Sequence, residues 1–157
     1  CPNTDDGKCL SDDLESLENL ILKFRETSSR VIVVKVSPDS TEQEVLKVCE
    51  ILLNIPKTVI NIGNSKYIKA DSVGLTSKTF SKEGGGLSGK SLYSNTLKTV
   101  KLISSKYDLP IIATGGVSSY DNVKELLDNG ATLTGMATLL VSDPFQIPLI
   151  NYRLSND

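Results

Sequence analysis

The sequence predicts an α/β protein in which parallel strands alternate with helices. Segments of helical periodicity alternate with short apolar runs rich in β-branched residues, in the order helix, then strand and helix four times. Such alternation is typical of a parallel sheet that helices cover. Four strand–helix units suit half of a (β/α)8 barrel or a small doubly wound sheet, and in both a ligand binds beyond the carboxyl ends of the strands.

The first helix and the first strand have clear patterns. Apolar residues at 14–24 fall at helical spacing after Asp12 and Asp13, which predicts an amphipathic helix with its negative charges at the favourable end. The run 31–36 is apolar and β-branched apart from one lysine, and it predicts a strand buried on both faces. Pro38 ends this strand, because proline cannot donate to a strand ladder.

A capping box opens the second helix. Thr41 and Glu44 have the spacing of that motif, and the helix is predicted to run through about Leu53. The apolar run 58–62 predicts the next strand. Residues 63–90 show no clear period and are rich in glycine, so we expect a long loop, a feature that is often functional in compact domains.

The second half of the chain repeats the alternation. Its predicted elements are a helix, a strand, a short helix and a strand that runs into a short turn, at residues 92–107, 109–114, 122–128 and 133–141. Asn129-Gly130 stops the short helix. Asp143 followed by Pro144 predicts an N-cap with proline at the first helical position, which opens the last helix.

Length and composition exclude several classes of function. The length of 157 residues suits one compact domain, and we expect residues 1–157 to be a single partial domain; a net charge of −2 gives no reason to expect nucleic acid. No apolar run approaches the roughly 18 residues of a membrane span, and the amino terminus has no signal-peptide pattern and no Met, which suggests a processed chain. Three cysteines at no metal-ligand spacing favour a reducing, cytoplasmic location without a metal site. The absence of His excludes a Ser-His-Asp hydrolase, a Cys-His protease and a His-ligated metal within this chain.

Unusual residues gather where the predicted strands end. They are polar or glycine, and they are Lys35, Asn61, Asn64, Ser65, the segment 85–89, Gly115, Gly116, Gly135 and Thr138. Carboxyl ends of parallel strands meet at one edge of a sheet, so we expect these residues to share a rim. In barrels a phosphate site commonly follows the last two strands, and Gly115-Gly116 and the Thr138 region occupy those positions.

Each of these residues also has a purely structural interpretation. Gly115-Gly116 is an ordinary turn as readily as a phosphate loop. Lys35 either faces an anionic ring or carboxylate, or extends to solvent from the strand end. Asn64 and Ser65 either hydrogen-bond a planar polar ligand or form a turn, which is the commoner use of such a pair.

Six segments of the sequence together resemble the dihydroorotate dehydrogenase family, chiefly its soluble class 1 enzymes. Residues 1–3 resemble the family's catalytic segment, residues 34–38 its Val-Lys-Leu-Ser-Pro strand and residues 61–65 its Asn-Ser-Val-Asn-Ser run. Residues 85–89 and 112–117 resemble its two flavin loops, and residues 142–145 resemble a segment near its carboxyl-terminal helix. These segments occur in the family's order and spacing. The resemblance covers nearly the whole chain and implies the carboxyl-terminal half of a (β/α)8 TIM barrel.

The resemblance implies FMN as cofactor and the oxidation of dihydroorotate to orotate in pyrimidine biosynthesis. Cys1 matches the catalytic base that takes the C5 proton, where class 2 enzymes carry Ser. The positions that hold orotate match Asn3, Asn64 and Ser65. The positions that hold FMN match Lys35, which lies near flavin N1 and O2, and Asn61, Gly86, Gly115, Gly116, Ala137 and Thr138. Ala137 stands where the family's phosphate loop usually has Gly.

The family pattern has four more strands before its catalytic segment, so the resemblance also implies a missing partner. We expect an amino-terminal half of the barrel or a separate chain that completes it, with a homodimer as a further expected assembly. Three hypotheses remain open: an FMN-dependent oxidoreductase, a non-catalytic half barrel within a larger assembly, and a phosphate-binding module without redox chemistry. The electron acceptor is open among fumarate, NAD and quinone.

Overall fold

The structure is a computed structural model that describes residues 13–76, 79 and 81–156. Its helices are α1 Leu14–Thr27, α2 Glu42–Leu53, α3 Tyr93–Ser104, α4 Tyr120–Asp128, α5 Ala137–Ser142 and α6 Gln146–Leu154. Its strands are β1 Ile32–Val36, β2 Thr58–Ile62, β3 Lys66–Lys69, β4 Gly84–Leu87, β5 Ile111–Thr114 and β6 Leu133–Gly135. The described residues therefore confirm the predicted alternation of strands and helices.

Four strands form a parallel sheet in the order β1-β2-β5-β6. Helices α2, α3 and α4 connect successive strands of this sheet, as parallel pairing requires. The two remaining strands, β3 and β4, form a separate antiparallel hairpin between β2 and α3. The sheet is that of half a barrel, and the hairpin is an insertion at its carboxyl end.

One face of the sheet packs against the helices and forms the core. Ile60 and Ile111 are in-register partners on that face, and both are fully buried. They lie in one apolar cluster with Leu52 of α2 and Ile103 of α3. Burying side chains of this size stabilises a fold by roughly 1.5–3 kcal/mol each relative to leaving them in water.

The opposite face of the sheet is open, and we call it the open face; it comprises Val33, Lys35, Asn61, Ile112 and Leu133. Val33 is 49% exposed and Leu133 is 59% exposed. The prediction that β1 is buried on both faces is therefore wrong. Only alternate residues of β1 point toward the helices, and β1 is an edge strand of this sheet.

The predicted helix starts at Asp13 and Thr41 are confirmed. Asp13 accepts a hydrogen bond of 3.1 Å from the Ser16 N–H at the start of α1. At α2 the Glu44 N–H donates to Thr41 Oγ1 at 3.3 Å, while the Thr41 N–H donates to Glu44 Oε2 at 2.6 Å. Both caps satisfy N–H groups that the first helical turn leaves without partners.

Two later boundaries differ from the predictions. Within the apolar segment 133–141, the strand ends at Gly135 and helix α5 begins at Ala137. Asp143 ends α5 instead of capping the last helix, because its N–H donates to the Leu139 carbonyl at 2.8 Å. The Asp143 carbonyl then accepts from the Gln146 N–H at 3.3 Å, so α6 begins after a turn through Pro144.

The loop predicted at 63–90 contains the β3–β4 hairpin, so that prediction is wrong in part. Gly84, Gly85 and Gly86 form strand backbone opposite β3. Three glycines carry no side chains and so show no alternation, which hides a strand from any test of hydrophobic period. None of the described helices is both long and apolar enough to cross a membrane.

Arg25 ties the end of α1 to the start of the sheet. Its guanidinium donates to the carbonyls of Ser28 at 2.9 Å, Arg30 at 2.8 Å and Lys57 at 3.1 Å. We expect Arg25→Ala to lower the free energy of unfolding by about 2 kcal/mol, because it removes three hydrogen bonds from a charged donor, one of them to the partly buried carbonyl of Ser28. Arg30→Ala is the control, since that exposed side chain should matter by less than about 0.5 kcal/mol. Equal denaturant midpoints for both variants would contradict the role given to Arg25.

Cys49 of α2 is 0% exposed, and burial raises the pKa of its thiol from 9.0 to about 12. A raised pKa in the folded state means that the protonated thiol stabilises the fold below pH 9 and that this contribution disappears as the pH rises toward 12. We expect urea unfolding between pH 8 and pH 11 to show a smaller loss of stability for Cys49→Ala than for the unaltered chain. An identical pH dependence in both proteins would be evidence against a buried, titrating thiol.

Candidate functional site

The carboxyl ends of the four parallel strands and the residues that follow them form the carboxyl rim. Within it, Lys35 of β1 is the in-register partner of Asn61 of β2. Asn61 in turn pairs with Ile112, which pairs with Leu133. In-register partners of parallel strands present their side chains on the same face. Lys35 and Asn61 are therefore neighbours on the open face, as the rim prediction required.

Asn61 carries a polar atom that no protein group satisfies. Its Oδ1 is buried and has no hydrogen-bond partner, although the residue as a whole is only half-buried. An unsatisfied buried acceptor costs roughly 1–3 kcal/mol, and such atoms in native proteins need a reason. A ligand N–H is a chemically matched partner for this oxygen, provided that the atoms covering it move when the ligand binds.

The glycine turns of the rim pack against one another. Gly63 follows β2 with φ of 123°, and a Cβ there would collide with the Thr114 carbonyl at the end of β5. Gly116 has φ of 75°, and a Cβ there would collide with the Tyr93 backbone and lie 3.0 Å from the Gly89 carbonyl. The segments after β2, β4 and β5 therefore meet at backbone distance.

The last strand brings Thr138 to the same place. A Cβ added to Gly89, whose φ is 94°, would lie 3.7 Å from the Thr138 methyl group. Ala137 is the exposed first residue of α5 beside it. Gly116 approaches Gly89 from the other side, so the predicted phosphate-loop residues after β4, β5 and β6 do converge.

Asn64 and Ser65 show the turn-forming geometry. The Ser65 N–H donates to Asn64 Oδ1 at 3.0 Å, so that acceptor is engaged within the loop. A Cβ at Gly86 would collide with Ser65 Oγ, which places Ser65 against the β3–β4 hairpin. Asp39 anchors the hairpin at its other strand, because its Oδ2 accepts from the Tyr67 N–H at 3.1 Å. The hairpin thus lies at the rim next to Asn64 and Ser65, two of the three predicted substrate residues.

Two predicted site residues, Cys1 and Asn3, lie outside the described residues. Within the part of the chain that the structure describes, no group of three or more His, Cys, Asp or Glu side chains has the arrangement of a metal site. Two surface depressions of about 520 and 410 Å³ lie at the opposite, amino end of the strands. That end of a barrel is associated with stability, so the rim, not these depressions, is the candidate site.

Three residues of the rim escaped the sequence interpretation. They are Tyr93, which begins α3, Glu125 of α4, and Asn122 of α4. The Tyr93 hydroxyl donates to Glu125 Oε2 at 2.6 Å and lies 3.2 Å from the Asn122 carbonyl oxygen. Burial and the Glu125 carboxylate raise the pKa of Tyr93 to about 12, so the phenol stays protonated. The sequence signals were weak, since a tyrosine at a helix start and an asparagine after a serine cap are both common.

Parallel strands, helices on one face, an open second face and a glycine-lined carboxyl rim define half of a (β/α)8 barrel. The family model described as dihydroorotate dehydrogenase matches residues 1–156. The chain therefore belongs to the dihydroorotate dehydrogenase family.

Individual relatives agree with this assignment. A dihydroorotate dehydrogenase (quinone) from Actinobacillus pleuropneumoniae serotype 7 is 34% identical over 86% of this chain and 41% of that protein. One of the same name from Pseudarthrobacter chlorophenolicus is 29% identical over 98% of this chain and 46% of that protein. A crystal structure of DHODH from Eimeria tenella in complex with ferulenol superposes with a TM-score of 0.69, at 20% identity, over 94% of this chain and 43% of that chain. The chain thus spans less than half the length of these relatives.

Proposed function

We propose that this chain supplies the carboxyl-terminal half of an FMN-dependent enzyme that oxidises dihydroorotate to orotate in pyrimidine biosynthesis, with the cytoplasm as its expected location. The observation that carries the proposal is that Lys35 and Asn61 are in-register neighbours on the open face and that Asn61 Oδ1 is buried without a partner. Family membership over residues 1–156 supports the chemistry. The chain corresponds to 41% of the length of the Actinobacillus pleuropneumoniae relative and therefore supplies only part of such a site. The activity belongs to the completed barrel.

The residues of the rim fit FMN. Bound FMN supplies the acceptor for the hydride that leaves the substrate. The Asn61 oxygen would accept from an N–H of the bound ring system, and the neighbouring Lys35 ammonium would stabilise negative charge on that ring. The phosphate is proposed to lie among the converging backbone segments, at Gly86, Gly115, Gly116, Ala137 and Thr138.

The substrate is proposed to lie next to the ring, where Asn3, Asn64 and Ser65 hydrogen-bond its polar edge. Asn64 and Ser65 stand beside the hairpin at the rim, which supports this placement. Cys1 is proposed to hold the proton that leaves C5, because a thiolate is a competent base at an accessible position. Its match to class 1 enzymes stays a prediction.

A visible absorption spectrum of the purified protein beside its intact mass is the first test. About one FMN per barrel, bleached by dihydroorotate without oxygen, is the expected result. The names of the relatives favour a quinone as electron acceptor, so reoxidation should be faster with a soluble quinone than with fumarate or NAD. A completed barrel that stays colourless after incubation with FMN would overturn the proposal.

Cys1→Ser is expected to slow reduction of the flavin at pH 7 and to shift the pH–rate profile to higher pH. A serine hydroxyl is a much weaker acid than a thiol, so less of it is ionised at any given pH. Stopped-flow reduction between pH 6 and pH 10 measures both effects, and Cys49→Ser is the matched control because Cys49 lies in the core. An unaltered profile in Cys1→Ser would exclude Cys1 as the base.

A non-catalytic half barrel is the second candidate function. The exposed apolar side chains of Val33 and Leu133 on the open face favour it, because they fit a surface that another half covers. The cover is proposed to be a preceding half of the barrel, a separate chain or a second copy of this one. Measuring the mass in solution with and without FMN separates the assemblies. Phosphate binding without flavin bleaching would instead favour the phosphate-binding hypothesis.

A further inference from the structure

A hydrogen-bonded bridge joins the start of α3, the start of α4 and the turn that follows β5. On the α3 side, the Tyr93 hydroxyl lies 3.2 Å from the main-chain oxygen of Asn122 and 2.6 Å from Glu125 Oε2. On the turn side, Asn122 Oδ1 accepts from both the N–H and the hydroxyl of Ser118, each at 3.2 Å. Asn122 thus lies between the two sides, because its carbonyl oxygen contacts the Tyr93 hydroxyl and its side chain accepts from Ser118.

The bridge encloses the Gly115-Gly116 turn from two sides. Gly116 lies directly against the Tyr93 backbone, where a Cβ would collide with the Tyr93 nitrogen. Two residues further on, Ser118 is held by Asn122. Between them Val117 is 4% exposed and anchors the turn in the core. Because the phenol fixes α3 to α4, the spacing of these two helices sets the position of the turn.

We propose that Tyr93 and Asn122 are positioning residues that hold the Gly115-Gly116 turn in the conformation that binds the flavin phosphate. The inference rests on the proposed function and adds residues that act through the turn. Backbone N–H groups bind an anion well only when their directions are fixed beforehand, since ordering a free loop at the moment of binding costs affinity. Tyr93 and Asn122 hold the turn in place before binding, so the phosphate group binds without the cost of ordering a loop. The ring of the ligand gains nothing from them.

The test compares the affinity of FMN with that of riboflavin, which lacks the phosphate. We expect Tyr93→Phe and Asn122→Ala to weaken FMN binding about tenfold, as the loss of a hydrogen bond to a charged or ordered group would do, and to leave riboflavin binding unchanged. Quenching of flavin fluorescence gives both dissociation constants in the purified protein. Circular dichroism confirms that each variant is folded.

Tyr107→Phe is the matched control. The Tyr107 hydroxyl donates to Glu50 Oε1 at 3.0 Å, so the variant also removes a tyrosine–glutamate hydrogen bond near α3, but at the amino end of the sheet. It should alter neither dissociation constant. If Tyr93→Phe weakens both flavins equally, or neither, the positioning role is overturned.

Hydrogen exchange of the backbone amides at 116–118 in the ligand-free protein gives an independent readout. Faster exchange in Tyr93→Phe than in Tyr107→Phe is expected, because the turn is then less constrained. Equal exchange in the two variants would overturn the inference whatever the flavin data show. If the completed barrel binds neither flavin, the proposed function fails, and exchange at the turn still decides whether the bridge fixes it.

Discussion

Lys35→Ala is expected to lower the rate at which dihydroorotate reduces the bound flavin by at least about a hundredfold, to a level that stopped-flow absorbance does not detect. The Lys35 side chain stands at the end of β1 on the open face, in register with Asn61. Under the proposed function, a cation there would stabilise negative charge on a ring bound beside Asn61, and alanine would offer no replacement. The binding of oxidised FMN should weaken far less than the rate falls, because that charge is absent before reduction.

Two control variants make this prediction sharp. Lys35→Arg keeps the positive charge and should retain a measurable part of the rate. Lys101→Ala removes an exposed lysine from α3, away from the carboxyl rim, and should leave the rate unchanged. If Lys35→Ala reduces flavin at the rate of Lys101→Ala, Lys35 extends to solvent and has no part in the site.

The sequence predicted the elements whose signals are local. The capping box of Thr41 and Glu44 sets the start of α2 because both hydrogen bonds lie within one helical turn. The β3–β4 hairpin could not be found in this way, since its second strand is Gly84–Leu87 and shows no alternation. The open face of β1 was also missed, because an apolar run reports hydrophobicity and not which neighbours are present to cover it.

The rim was predictable as a set of residues, but not as a set of contacts. Topology alone places residues that follow parallel strands at one edge, so the strand order predicts that Gly116 and Thr138 share that edge, whereas Gly89 reaches them from the β3–β4 hairpin. The orphaned oxygen of Asn61 and the bridge through Tyr93 and Asn122 depend on side-chain directions across three elements. Such long-range contacts leave no periodic signal in one sequence.

The rim glycines serve the fold as well as any ligand, and this bears on how variants are interpreted. A Cβ added to Gly115 would lie 2.7 Å from Thr96 Oγ1, and one added to Gly135 would lie 2.5 Å from Thr114 Oγ1. Substitution of either residue therefore disturbs packing within the chain. A loss of FMN binding in such a variant does not identify a phosphate contact, whereas variants of Tyr93 and Asn122 leave both glycines in the sequence and add no Cβ to the turn.

Gly63→Ala is expected to destabilise the chain by more than about 4 kcal/mol, which is a large part of the roughly 5–15 kcal/mol that stabilises a typical domain. Its φ of 123° is rarely adopted by an L-residue, and its Cβ would collide with the Thr114 carbonyl. That carbonyl belongs to the end of β5 and cannot withdraw as a flexible side chain would. The variant should be largely unfolded or insoluble at 25 °C.

Gly74→Ala separates the two causes of this effect. Gly74 also has a positive φ, of 74°, but nothing lies within 4 Å of a Cβ built there. Alanine at Gly74 therefore incurs only the backbone cost of about 1 kcal/mol, which lowers the melting temperature by about 2–4 °C. Thermal unfolding followed by circular dichroism measures both variants. If Gly63→Ala melts within a few degrees of Gly74→Ala, the ends of β2 and β5 do not approach at backbone distance, and the close-packed carboxyl rim on which the phosphate site depends is wrong.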